Sequence, residues 1–252
     1  MMKKWIASIA LAALFSAPAL QAEDTVRIAT EGAYAPWNFV NDEGKLAGFE
    51  VDLGNELCKR MEAQCEFIQN EWDSIIPNLL AGNYDAIMAG MSITDERRET
   101  ISFSEAYYPP DPSRYAVKKG TEMDWDALEG KSIGVQGATL QAGYAEENLA
   151  GKNTIKSYET SDQAVADLMG GSIDALLADG TVSKSAVEGS NGEMEISGPE
   201  IMIGEGIAIG LRQDDTGLQE KLNQALEDVK KDGTLDQLIE TYFKAGPFYS
   251  GS

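Results

Sequence analysis

Apolar positions along this chain come in two alternating kinds of run. Short blocks of consecutive apolar residues read as buried strands at 26–30, 84–89, 132–135, 173–178 and 207–211. Between them lie longer stretches whose apolar residues recur every three or four positions. These predict helices over 49–61, with Val51, Leu53, Leu57 and Met61 on one side, and over 74–81, with Pro77 in the first turn and Gly82 as the stop. Further helices are expected from about Thr139 to Asn148, at 162–169, at 218–231 with Leu218, Leu222, Ala225, Leu226 and Val229 inward, and at 235–243 after Gly233. Strand and helix alternate throughout, which implies α/β layers with largely parallel sheets.

An internal repeat refines that picture. The segment DSIIPNLLAGNYDAIMAG (73–90) aligns without a gap to DQAVADLMGGSIDALLAD (162–179), with six of eighteen positions identical. Chance likeness between two helix-glycine-strand units would give a similar match. Taken as a repeat, it makes two similar α/β lobes and puts Gly90 and Asp179 at equivalent points, just past the carboxyl end of a strand. In open α/β sheets ligands sit there. The segment YYPPDP (107–112) holds three of the eight prolines and suits a crossover between lobes. A glycine-rich return near 198–206 would be the second crossover.

The N-terminus adds a destination. Lys3 and Lys4 precede an apolar run from Trp5 to Phe15 and then SAPALQA (16–22), the pattern of a secretory signal peptide. The apolar run is too short to span a bilayer. Cleavage is expected after Ala22, with Ala19 as the alternative. The mature chain would then lie in an oxidising compartment outside the cytoplasm, where Cys58 and Cys65, the only two cysteines, would form a local disulfide.

Charge narrows the partners. With 42 acidic against 20 basic side chains the formal charge is −22, and loss of the leader with its two lysines takes it to −24. A phosphate backbone would repel such a protein, so no nucleic-acid partner is expected. The chain has no histidine, which removes the usual general base and most zinc sites. No metal or cofactor is expected, and the composition argues against an enzyme without excluding carboxylate chemistry.

The densest constellation is GMSITDERR (90–98), between a strand and a helix. Thr94 suits an N-cap with Asp95 and Glu96 in the first turn. By spacing this is a capped surface helix with a solvated arginine; alternatively, Arg97 and the free amides form a fork for a carboxylate. GVQGAT (134–139) is a comparable strand-to-helix turn with the Thr139 amide at its end. Asp179 either holds an ammonium or caps a helix starting near Thr181. Tyr34 and Trp72 follow predicted strands or polar stretches and are candidate ligand walls.

Together these motifs resemble the periplasmic amino-acid-binding proteins of ABC importers, solute-binding protein family 3, among the lysine/arginine/ornithine, histidine and opine binders. The resemblance spans essentially the whole mature chain and rests on EGAYAPW (31–37), GFEVDL (48–53), WDSIIP (72–77), YDAI (84–87), SITDER (92–97) and DGTL (232–235). It implies the two-lobed type II fold, with residues 23–109 plus 206–252 as one lobe, residues 110–205 as the other, and two crossover strands between them. It implies a monomer that delivers its ligand to a membrane permease and carries out no reaction. Cys58 and Cys65 sit where such binders carry their disulfide.

The implied ligand set is Glu31, Tyr34, Trp72, Ala89, Gly90, Met91, Ser92, Arg97, Thr139 and Asp179. In it, Arg97 and the Ser92 and Thr139 amides clamp an α-carboxylate. Asp179, the Gly90 carbonyl and the Ser92 hydroxyl hold an α-ammonium. Tyr34 and Trp72 sandwich the ligand side chain, and Glu31 meets a cation at its end. Ala89 and Gly90 stand where relatives often have serines, which implies more room and fewer donors. A guanidinium between Tyr34 and Trp72 would gain about 0.5–2 kcal/mol from cation–π contact. A rival reading on the same fold is a secreted cyclohexadienyl or arogenate dehydratase; retention of an acid at Asp179 argues for the binder.

Overall fold

Val26, Ile28 and Ala29 are buried on both faces of their strand because parallel neighbours flank it and helices cover it. The structure is a computed structural model that describes residues 25–249. The expected signal peptide at 1–22 lies outside the described residues, and among those residues no helix is long and apolar enough to cross a membrane.

The first segment contains β1 (Thr25–Thr30), the short β2 (Ala33–Tyr34), β3 (Asn38–Val40) and β4 (Leu46–Ala47), and α1 (Phe49–Arg60). It continues through β5 (Gln64–Gln69), α2 (Trp72–Leu80), β6 (Ala86–Ile87), α3 (Asp95–Arg98) and β7 (Ser102–Phe103). After a crossover come β8 (Ser113–Lys118), β9 (Ser132–Gln136), α4 (Leu140–Asn148), β10 (Thr154–Tyr158), α5 (Ser161–Gly170), β11 (Ala175–Asp179), α6 (Gly180–Gly189) and β12 (Met194–Ile201). The chain then returns to the first sheet with β13 (Gly210–Leu211) and finishes with α7 (Thr216–Lys231) and α8 (Thr234–Phe243).

Two five-stranded sheets result, ordered β5-β1-β6-β13-β7 and β10-β9-β11-β8-β12, with β2-β3-β4 as a small third sheet. Each large sheet with its helices forms one lobe. The largely parallel order that was expected holds for β5-β1-β6 and β10-β9-β11, but one strand in each sheet is reversed: β13 runs antiparallel to β6 and β7, and β8 antiparallel to β11 and β12. The reason lies in the connections. β8 and β13 each begin where a crossover enters from the cleft, so they start beside the strand ends at which their neighbours finish. The two crossovers touch: the Tyr107 amide donates to the Ile207 carbonyl (2.9 Å), and the Ile207 amide to Tyr108 (3.0 Å). Trp37, fully buried beneath them, packs against Phe49, Tyr107, Tyr108 and Phe243.

The predicted strands at 84–89 and 207–211 shorten to two-residue ladders, although the Asp85 and Met88 amides still donate to β1. α2 begins two residues before Ser74, because its first turn is closed by the Ser74 amide on the Glu71 carbonyl (3.2 Å). Pro77 therefore lies inside the helix rather than in its first turn. Cys58 at the end of α1 and Cys65 in β5 are joined by a disulfide with Cα atoms 5.8 Å apart.

Candidate functional site

Thr30 ends β1 with the chain buried on both sides, so the next residue, Glu31, is delivered to the cleft rather than to solvent. Its side chain is 4% exposed. Glu31 Oε1 accepts from Gln136 Nε2 at 2.6 Å, and Gln136 comes from the end of β9 in the other lobe. Gln136 is held in turn by Ser161 Oγ on its Oε1 (3.0 Å) and by the Glu159 carbonyl (3.1 Å). Burial is the main force that raises the Glu31 pKa to about 7; the Gln136 bond opposes it, and Asp162, Asp73 and Glu50 add repulsion.

Asp179 is the last residue of β11 and stands at the N-cap of α6, but its carboxylate caps nothing. It faces the cleft instead. Oδ1 accepts from Gln141 Nε2 at 2.7 Å, and Oδ2 from the Tyr34 hydroxyl across the cleft. Burial lifts its pKa to about 6, while the Tyr34 and Gln141 bonds and Arg97 hold it down and Asp111 pushes it up. The N-terminal cap of α6 is made by Asp111 of the first crossover, which accepts from the Thr181 amide at 2.9 Å.

Arg97 rides on α3, whose N-cap Thr94 accepts from the Arg97 amide as its spacing foretold. Its side chain is half-buried rather than fully solvated. It donates to the Ser92 carbonyl at 2.7 Å and lies 5.2 Å from the Trp72 ring centroid. Burial lowers its pKa from the ordinary arginine value, and Asp179 and Glu96 pull in the opposite direction. Trp72 Nε1 donates to the Ala138 carbonyl at 3.1 Å, so this ring also bridges the lobes. Thr139 caps α4 by accepting from the Ala142 amide at 3.1 Å.

One tightly closed cavity gathers these groups. Glu31, Tyr34, Trp72, Ala89, Gly90, Ser92, Arg97, Thr139 and Asp179 all line it. Met91 does not, which corrects one expectation: its side chain points the other way and is fully buried in the apolar core of the first lobe. Gly90 corrects another. It leaves no extra room, because a Cβ there would come 3.0 Å from the Tyr34 ring, and its φ of +60° favours glycine. Tyr34 fills the space that a small residue was expected to free.

Three lining residues went unnamed in the sequence reading: Gln136, Leu140 and Gln141. Gln136 could have been found by the rule that singled out Asp179, since both end a strand at the cleft. Gln141 carries no such signal; only its 5% exposure and its bond to Asp179 mark it.

Chemically the cavity offers a guanidinium, two carboxylates and aromatic walls. Among the described residues no group of three or more histidine, cysteine, aspartate or glutamate side chains could hold a metal ion.

The profile of the bacterial extracellular solute-binding proteins, family 3, matches residues 26–245. This chain belongs to that family. The histidine-binding periplasmic protein of Escherichia coli K12 is 36% identical over 254 residues, covering 96% of this chain and 97% of that one. The lysine/arginine/ornithine-binding periplasmic protein of the same organism is 35% identical over 229 residues, with 87% and 88% covered. Among solved structures, a periplasmic His/Glu/Gln/Arg/opine family-binding protein from Silicibacter pomeroyi, in complex with lysine, superposes with a TM-score of 0.81 at 44% identity. The match covers 88% of this family 3 chain and all of the Silicibacter chain.

Proposed function

We propose that this chain is a periplasmic solute-binding protein that captures a polar amino acid with a cationic side chain, such as arginine, lysine, ornithine or an arginine-derived opine. It hands the ligand to the membrane permease of an ABC importer and performs no reaction on it. The observation that carries this reading is the meeting of Arg97, on α3 of the first lobe, and Asp179, at the end of β11 in the second, in one cavity that also holds a separate buried carboxylate at Glu31.

Arg97, with the Ser92 and Thr139 amides, takes the α-carboxylate. Asp179, the Gly90 carbonyl and the Ser92 hydroxyl take the α-ammonium. Trp72 and Tyr34 wall the side chain, and Glu31 receives its cation. Gln136 and Gln141 hold the two acids. A charge-assisted bond at Glu31 contributes about 1.5–3 kcal/mol, and a bound cation offsets the cost of burying that carboxylate. Residues 23–109 plus 206–252 and residues 110–205 act as the two lobes. Ligand groups reach both, so binding favours the closed form that a permease recognises. The mature protein works as a monomer after the leader is cut near Ala22.

A thermal-shift screen of the common amino acids, ornithine, citrulline and opines tests the reading, since a tight ligand raises the melting temperature by mass action. Cationic α-amino acids are expected to give the largest shifts. Glu31→Gln should weaken arginine roughly 10–100-fold and glutamine little. Equal losses for both, measured by calorimetry, would overturn the assigned specificity. Release of phenylalanine from arogenate, by loss of water and carbon dioxide, would overturn the assignment as a binder without catalysis.

A further inference from the structure

Glu50 lies in the first turn of α1, fully buried, and does not line the ligand cavity. Three donors converge on it. The Gly90 amide donates to Oε1 at 2.7 Å, the Tyr107 hydroxyl donates to the same oxygen, and Asn38 Nδ2 donates to Oε2 at 2.7 Å. Asn38 passes the pattern on: its Oδ1 accepts from the Gly32 amide at 2.7 Å. Gly90 is a cavity wall, Gly32 follows Glu31, and Tyr107 begins the first crossover. One carboxylate behind the site therefore touches the Gly90 turn and the segment between the lobes, and reaches the Gly32 turn through Asn38.

The direction of these bonds matters. Gly32 and Gly90 present amide hydrogens and can only donate. Asn38 must turn its oxygen to Gly32, so it too offers only hydrogens to Glu50. A group there must accept on both sides, which a carboxylate does and an amide does not. Burial raises the Glu50 pKa, and the bonds from Tyr107, Gly90 and Asn38 oppose that rise.

We propose that Glu50 is a positioning residue for ligand binding: its buried carboxylate, itself oriented by Asn38 and Tyr107, holds the Gly90 turn in the geometry that receives the ligand's α-ammonium. This inference rests on the amino-acid-binding reading above. It goes beyond that reading by assigning a role to a residue that touches no ligand.

The test uses the full-length mature protein, L-arginine and the des-amino analogue of arginine, which keeps the carboxylate and guanidinium but lacks the α-ammonium. In Glu50→Gln, one of the bonds becomes donor against donor. Arginine affinity should fall about tenfold by calorimetry, and that of the analogue by less than about threefold. Asn38→Asp alone sets two carboxylates in contact and should also weaken arginine. Combining Glu50→Gln with Asn38→Asp restores every bond: the new aspartate accepts from Gly32 and from the glutamine amide, whose oxygen accepts from Gly90 and Tyr107. Arginine binding in the double variant should return to within about threefold of the wild type. A general structural role would weaken both ligands equally, so equal losses overturn the inference. So does a double variant that stays weak or does not fold, even where Glu50→Gln alone is too unstable to measure. Wild-type protein that binds arginine while Glu50→Gln binds it unchanged sinks this inference alone. Wild-type protein that binds no cationic amino acid removes the functional reading and this inference together.

Discussion

Tyr34 donates its phenolic hydrogen to Asp179 across the cleft, joining the β2 region of one lobe to the end of β11 in the other. Both residues are more than nine-tenths buried. The bond is one of several that lower the Asp179 pKa against the effect of burial, leaving it at about 6. Removing the hydroxyl in Tyr34→Phe should therefore raise that value. More of the carboxylate would then be neutral near neutral pH, and arginine should bind roughly tenfold more weakly, with the loss growing as pH falls towards about 6 and levelling off below it. Calorimetric titrations across that range check both the size and the slope. An equal loss at every pH would show that the hydroxyl acts by contact alone.

Glu31 makes a second pH dependence. Its pKa in the folded protein, about 7, lies above the ordinary 4.5, and that of Asp179, about 6, lies above 3.8. Raised carboxyl values mean that the folded state binds protons more readily than the unfolded state. Their contribution to stability is full below the ordinary values and is lost as pH rises through about 6 and then 7. The melting temperature without ligand should fall over that interval, and Glu31→Gln should flatten its upper part. A cationic ligand reverses the balance by favouring ionised Glu31. Binding near pH 7 should therefore release protons, read as a heat that varies with the ionisation enthalpy of the buffer.

Which parts of this molecule could be read beforehand depends on where apolar side chains face. β1, α1, α5, α7 and α8 each bury one strong apolar stripe or run, and their periodicity placed them within a residue or two. The edge strands β5, β10 and β12 carry alternating charged or polar residues with much of one face half-exposed, so no apolar block announced them. The cavity was legible where chemistry concentrates at strand ends, as at Glu31, Gly90 and Asp179. Glu50 lay in a quoted motif, yet its role comes from residues 12, 40 and 57 positions away. Spacing on a helix cannot foretell such convergence. Tyr34 gave the reverse lesson: as a wall it was expected, but its occupation of the space beside Gly90 depends on a backbone turn.

Arg97 is the group whose loss should be least selective. Its half-buried guanidinium donates to the Ser92 carbonyl and lies over the Trp72 ring. Arg97→Ala removes the cation that answers the α-carboxylate common to every amino acid. Truncating one partner of a buried, hydrogen-bonded charge pair costs about 2–5 kcal/mol. Arginine, lysine and neutral amino acids should all weaken at least thirtyfold, roughly the lower end of that range. Calorimetry on three such ligands distinguishes this from Glu31→Gln, where the charged side chain alone decides the loss.

The Cys58–Cys65 disulfide should separate stability from binding. Cys65 lies at the start of β5, and Gln69, whose Nε2 donates to the Glu31 carbonyl at 3.2 Å, lies at its end. Four residues of strand span about 13 Å, so the bridge sits at the end of the sheet opposite the cavity. Its effect acts through the unfolded chain, where closing a loop with a sequence separation of seven removes conformational freedom. The double variant Cys58→Ala, Cys65→Ala should lose about 2–3 kcal/mol of folding stability. Alanine suits position 58 because that site is buried and a serine hydroxyl would need a partner there. Urea denaturation should show a lower midpoint with nearly the same slope, and arginine affinity should stay within about twofold of the wild type. A marked loss of affinity would mean that strain at the far end of β5 reaches Glu31 through the strand, and the two ends of the sheet would no longer count as independent.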